Sequence, residues 1–263
     1  MHAEGILNRI KGKEKSYKES VPIKTYLFRY DRGVFWSGLR AFKYFCTPFN
    51  AVTRYLLDAY MYSRTMIHAL HRSGLSSQTI IQDLAVPYES AEAFIEWTDQ
   101  KTGLWPLWLC PVKAPPQDEC TFSVTNVSPG KTLLDIGIWG MGPKDGRRFI
   151  ALNREFEAKV AELRGLKCLY AHAYYTEDEF WQIYDEKRYR GLRNKYHAES
   201  LPSIYDKVKV DLQGVAGTRR ATEGETWGQW TSRNFWGTWP LGGLYGVASA
   251  TKGLLVESDF LLK

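Results

Sequence analysis

Between residues 77 and 211 the apolar pattern switches repeatedly between a period of two and a period near 3.6. No other feature of the sequence restricts the fold as much. Thr79-Ile80-Ile81-Gln82-Asp83-Leu84 reads as a strand closed by Pro87. A helix is expected over Glu89 to Lys101, with Phe94 and Trp97 inward and Gly103 at its exit. Leu104 to Cys110 reads as a second strand, and Pro106 places its start at a sheet edge. Leu133 to Trp139 reads as a third, ended by Gly140-Met141-Gly142-Pro143. Asn153 is expected to cap a helix carrying Phe156, Val160 and Leu163, with Gly165 as its stop. Lys167 to Tyr175 reads as a fourth strand. Thr176-Glu177-Asp178-Glu179 is a capping box opening a helix with Phe180, Trp181, Ile183 and Tyr184.

The order β-α-β-β-α-β implies an α+β fold of the ferredoxin-like, split β-α-β kind. Its antiparallel sheet carries helices on one face and leaves the other to cover something. Two segments of different texture flank this region. Residues 1–76 are basic and aromatic. Phe35, Trp36, Leu39, Phe42, Phe45 and Cys46 share one helical face there, and Asn50 caps a long helix expected to run to residue 73. The first of these can pack on the protein or lie in a membrane interface. Residues 212–263 form a Gly- and Trp-rich tail, whose uncharged stretch Asn234 to Thr251 offers the same two choices.

The aromatic load is heavy, with ten Trp, sixteen Tyr and twelve Phe. Aromatic rings suit a flat apolar ligand, a membrane interface or a rich core. The net charge of +6 favours anionic partners, and Arg9, Lys11, Lys13, Lys15 and Lys18 crowd the N-terminus. Cys46, Cys110, Cys120 and Cys168 form no C-x-x-C pair, and His68 and His71 lack a third ligand, so no metal site is expected. No signal peptide or membrane-spanning apolar run is read. The basic-glycine-aromatic signature of RNA-recognition strands is missing from Leu133 to Trp139 and Cys168 to Tyr175, so no nucleic-acid partner is expected.

Several blocks, in order, resemble the delta-24-sterol reductase family, which includes the diminuto/dwarf proteins. They are Phe35-Trp36, Ile81-Gln82-Asp83-Leu84-Ala85-Val86-Pro87, Trp105-Pro106-Leu107-Trp108-Leu109-Cys110-Pro111 and Asp135-Ile136-Gly137-Ile138-Trp139-Gly140. Leu169-Tyr170-Ala171, Glu179-Phe180-Trp181, Leu192-Arg193-Asn194-Lys195 and Tyr205-Asp206-Lys207 follow. The resemblance runs from about Tyr26 to Val210. It implies the substrate-side cap of a flavoprotein of the vanillyl-alcohol-oxidase type. The implied reaction reduces a sterol side-chain double bond, with NADPH supplying electrons through FAD. It also implies an intracellular, membrane-associated setting at the endoplasmic reticulum. The glycine-rich phosphate cradle of a flavin domain is not found: Gly237, Gly242, Gly243 and Gly246 do not sit between a strand and a helix. The chain alone is therefore expected to bind FAD weakly or not at all, with a separate FAD-binding domain or chain as partner. The alternatives are a non-catalytic binding or scaffold module built from the cap, or another flavin oxidase of the same type.

Hydride reduction of an unactivated alkene needs an acid to protonate the less substituted carbon and a pocket that tolerates the resulting cation. Alternation over the fourth strand puts Tyr170, His172 and Tyr174 on one face. His172 or Tyr174 is the expected proton donor, and Tyr170 is expected to line the substrate pocket. Ordinary amphipathic strand residues are the alternative. Trp105, Trp108 and Trp139 fall in matched blocks and would wall a sterol, or else pack the core. Arg193 and Lys195 would meet flavin phosphate or NADPH, or else favour a helix C-terminus. Asp83 and Asp135, among apolar strand neighbours, are expected to be structural.

Overall fold

A computed structural model describes residues 18, 20–28, 31–113, 132–210, 212 and 238–256. The basic N-terminal run before Lys18, Cys120 and the tail residues Phe235, Trp236 and Gly237 lie outside them. The chain divides into two compact units, Met1–Met66 and Ile67–Lys263.

The first unit is helical. Helices α1 (Ile23–Leu27), α2 (Ser37–Tyr44) and α3 (Ala51–Leu56) are followed by a 3-10 turn, Asp58–Met61, and by α4, Ser63–Arg72, which runs into the second unit. Asn50 caps α3 as expected: its Oδ1 accepts from the Val52 and Thr53 N–H groups at 3.0 Å each. The single long helix expected from residue 50 to 73 is broken. Arg32 explains the break. Its guanidinium donates to both oxygens of Asp58 at 3.0 and 3.3 Å and stacks 3.3 Å from the Tyr62 ring centroid. Its backbone bridges Tyr62, whose extended conformation interrupts the helix. Gly33 and Gly38 touch closely, since a Cβ on Gly38 would come 2.9 Å from the Gly33 Cα. Phe42 is buried and meets Phe49 edge-on at 5.1 Å.

The second unit holds the sheet. Leu75–Gln78 forms a 3-10 turn after Gly74, whose positive φ ends α4 as expected. Then come β1 (Thr79–Pro87), α5 (Tyr88–Thr102), β2 (Trp108–Lys113), β3 (Thr132–Met141), α6 (Gly146–Glu162) and β4 (Leu166–Lys167). The strand order is β2-β3-β1-β4, with every neighbouring pair antiparallel. This is the expected α+β, split β-α-β arrangement. Ile80, Leu84 and Val86 of β1 and Ile136 and Ile138 of β3 meet Phe94 of α5 and Phe149, Phe156 and Val160 of α6 in one core. The helices bury one face each, whereas β1 and β3 are buried on both, with Asp83, Ala85, Leu133 and Asp135 on the face away from this core.

Three details depart from the sequence reading. The second strand begins at Trp108 rather than Leu104, because Pro106 has no N–H to donate and the Trp105 indole is tied to Asp99 of α5. The sixth helix begins at Gly146, capped by Asp145, not at Asn153. Asn153 is buried in mid-helix, where it accepts from Gln82 Nε2 at 2.7 Å and donates to the Phe149 carbonyl. The fourth strand pairs over two residues only. Beyond it, side chains satisfy the backbone: Glu157 Oε1 accepts the Tyr174 N–H at 2.8 Å, and Lys167 Nζ donates to the His172 carbonyl. Ala173 then pairs with Val208 and Val210 instead of with the sheet.

Helices α7 (Glu177–Ile183), α8 (Glu186–Lys195) and α9 (Ile204–Val208) follow. The expected capping box of Thr176 and Glu179 opens α7. Phe180, Tyr184, Tyr205 and Val208 pack with Ala173 in a second cluster. The Gly-rich tail, whose composition argues for an irregular segment, instead forms α10, Leu241–Val256. Gly246 lets it approach the Ala69 carbonyl more closely than any Cβ would allow. Among the described residues no helix is long and apolar enough to cross a membrane.

Candidate functional site

The register of β1, β2 and β3 decides which side chains meet on the sheet face opposite α5 and α6. Residues paired across antiparallel strands share a face. Ile81 is opposite Trp139, Asp83 opposite Gly137, and Ala85 opposite Asp135. Trp108 is opposite Gly137, and Cys110 opposite Asp135. Two carboxyls, two indoles and a thiol thus collect on one surface. Cys168, just past β4, donates its backbone N–H to the Asp83 carbonyl at 2.9 Å and its thiol to Asp135 Oδ1 at 3.5 Å. Gly137 is required at the centre. A Cβ there would lie 2.5 Å from Asp83 Oδ1 and 2.9 Å from the Trp108 Cβ.

Burial makes this pair chemically unusual. Asp83 is 7% exposed and Asp135 8%. Desolvation and the neighbouring Asp135 charge push the Asp83 carboxyl up to about 6, although a hydrogen bond from Trp139 opposes the shift. Asp135 is also raised, by burial, against a hydrogen bond from Cys168. Burial and the adjacent Asp135 carboxylate push the Cys168 thiol up to about 12, so it stays protonated and donates. Around pH 6, well above the range of an ordinary carboxyl, the cluster can therefore hold a proton on Asp83. That is the environment that fits a carboxyl to act as a general acid.

The residues expected from the sequence to form the site are dispersed. Trp108 and Trp139 do share the carboxyl face, Trp108 opposite Gly137 and Trp139 two residues along β3 from it. Trp105 is displaced to the end of α5 by its bond to Asp99. The expected Tyr170–His172–Tyr174 face does not form, because the segment is not a strand. Tyr170 lies in a turn, 60% exposed. His172 is at the surface, and desolvation with the Lys167 and His71 charges holds its imidazole below the ordinary range. Tyr174 enters the helix-side core, edge-on to Phe149 at 6.3 Å, and burial raises its phenol far above the usual value.

The two expected cofactor-binding cations are also apart from the sheet. Arg193 lines a cavity of about 420 Å³ bounded by α7, α8 and the segment leading to α9. Its guanidinium is held there by the carbonyls of Glu199, Leu201 and Pro202 and by the Tyr189 hydroxyl. Lys195 sits on the exposed end of α8 with its ammonium 5.5 Å from the Tyr196 ring. The described residues do not fit the nucleotide portion of FAD. Gly242, Gly243 and Gly246 lie within α10 rather than in a strand-to-helix turn, and Arg193 is engaged by backbone carbonyls. Among the described residues no group of three His, Cys, Asp or Glu side chains could hold a metal ion.

Asp83 and Asp135 were legible as buried strand positions but not as a pair. Only the pairing of β1 with β3, more than fifty residues apart in sequence, brings them together. Their signal in the sequence is an acidic side chain among apolar strand neighbours, within a matched block.

No family model and no solved structure matches the chain. Curated relatives do. It is 28% identical over 218 residues to the Delta(24)-sterol reductase homolog dhcr-24 of Caenorhabditis elegans, covering 79% of this chain and 39% of that protein. It is 26% identical over 198 residues to the Delta(24)-sterol reductase of Homo sapiens, covering 72% and 37%. It is 25% identical over 246 residues to that of Pisum sativum, covering 84% and 41%. Animal and plant proteins of one name thus match most of this chain with a similar fraction of their own length, and the chain is a relative of the delta(24)-sterol reductases that spans about two fifths of them.

Proposed function

We propose that this chain is the sterol-facing part of a delta(24)-sterol reductase activity and that Asp83 is its proton donor. The burial of the Asp83 carboxyl beside Asp135 and Trp139 carries the reading. The less substituted alkene carbon takes the proton from Asp83, and positive charge forms at its more substituted neighbour. The indole faces of Trp108 and Trp139 and the negative charge left on the carboxyl pair stabilise that cation. The Trp139 N–H supports the carboxylate that remains on Asp83. A hydride then completes the reduction, and its donor is held outside the described residues. The expected FAD and NADPH belong to that supply. Asp83 takes this role in place of His172 and Tyr174: Tyr174 faces the helix side, and His172 is exposed on a segment that leaves the sheet.

Sterol binding by the purified chain tests the reading without a hydride donor. Titration with a delta-24-unsaturated sterol should quench tryptophan fluorescence saturably. The combined Trp108→Phe and Trp139→Phe variant should lose most of that quenching. Absence of saturable quenching, or quenching unchanged in the double variant, would overturn the assignment of this face.

A further inference from the structure

We propose that Cys168 is a positioning residue for the carboxyl pair: its thiol holds Asp135 as the charged member, so that the proton of the pair resides on Asp83. The inference rests on the reading of Asp83 as proton donor and adds the group that keeps it one.

The chain around Cys168 fixes where its thiol points. Successive residues of an extended segment face opposite sides of a sheet. Lys167, the last residue of β4, sends its ammonium to the helix side, where Glu157 Oε1 lies 2.6 Å away with both side chains buried. The Tyr184 hydroxyl donates to the Lys167 carbonyl at 3.3 Å. Cys168 therefore turns to the carboxyl face. Its N–H continues the pairing with β1 by donating to the Asp83 carbonyl at 2.9 Å.

Register sets the two carboxyls in diagonal positions, since Asp83 is opposite Gly137 and Asp135 lies two residues along β3. Neighbouring buried carboxyls resist ionising together, so one of them keeps a proton. The donors that each meets decide which. Asp83 accepts from the Trp139 indole. Among the described residues the Cys168 thiol, 3.5 Å from Oδ1, is the one donor to the Asp135 carboxyl. Cys110 is also opposite Asp135, but its thiol turns to the Pro111 carbonyl at 3.9 Å. A thiol is a weak donor to a neutral oxygen and a stronger one to a buried anion. Without it the Asp135 carboxylate, 8% exposed, would be a buried charge lacking a partner. Asp83 would then be the carboxyl with a donor, and charge and proton would change places. An ionised Asp83 has no proton to give to an alkene.

Infrared spectra of the purified chain at pH 6, where Asp83 is still partly protonated, test this. In the unsubstituted chain, the protonated carbonyl band that Asp83→Asn removes belongs to a group bonded by the Trp139 N–H. In Cys168→Ala the proton should sit on Asp135, which then has no donor, so the band should move to higher wavenumber. Cys168→Ser keeps a donor and should leave the band in its original place. The S–H stretch that Cys168→Ser removes should also lie below that of the exposed Cys46, as a thiol bonded to a carboxylate requires. A band unmoved in Cys168→Ala, an equal shift in Cys168→Ser, or an S–H stretch matching Cys46 would overturn this inference and leave Asp83 as the donor. If Asp83→Asn removes no band from the unsubstituted chain, the proton-donor reading falls and this inference with it.

Discussion

The two units use the same residue types in opposite ways. In the second, the apolar side chains of β1, β3, α5 and α6 disappear into one core, and even polar groups are taken in with partners. In the first, Val52, Tyr55 and Leu56 stand in solvent. Local pattern is alike in both: an apolar stripe at helical spacing. The difference lies in whether another element is present to receive it. Amphipathic spacing specifies a face to be covered, and tertiary context decides what covers it.

Substitutions in the second unit should therefore be severe, and matched ones in the first nearly silent. Phe156→Ala removes a fully buried ring that meets Trp97 edge-on at 5.4 Å, and should cost about 3–5 kcal/mol in urea unfolding. Lys167→Met should cost a similar ~3–5 kcal/mol, because its ammonium lies 2.6 Å from Glu157 with both side chains buried, and the carboxylate would be left unpaired.

Asp83→Asn sharpens the contrast by moving the other way. The folded carboxyl holds its proton to about pH 6, whereas an unfolded one releases it near 4. Between those values the folded state binds more protons, so stability falls as pH rises through the window and stays lowered above it. The variant should thus gain roughly 2–3 kcal/mol at pH 7.5 and little at pH 4, read by unfolding at both. Gly137→Ala should cost about 1–3 kcal/mol by forcing Asp83 and Trp108 apart. Tyr55→Ala should change unfolding by less than about 0.5 kcal/mol, since its side chain is 82% exposed. A large loss there would mean that the first unit buries its stripe after all.

Legibility followed the range of the interactions. The Thr176 capping box, the Asn50 cap and the Gly103 exit were readable because each acts within a few residues. The two core-facing strands were readable from their period, and the strand–helix order fixed the sheet topology. The failures came where a distant partner overrode a local pattern. Arg32 breaks the helix after Leu56, Gln82 draws Asn153 inward, and Glu157 with Lys167 pulls residues 168–175 off the sheet. The candidate site follows the same rule: Trp108 and Trp139 stand out in the sequence, but the carboxyl pair on their face exists only through strand register.

The most direct test is the titration of Asp83 itself. The protonated carbonyl band, assigned by infrared difference spectra between the protein and Asp83→Asn, should disappear with a midpoint about 6. A midpoint near 4, that of an ordinary aspartate, would mean that this carboxyl holds no proton to give at neutral pH.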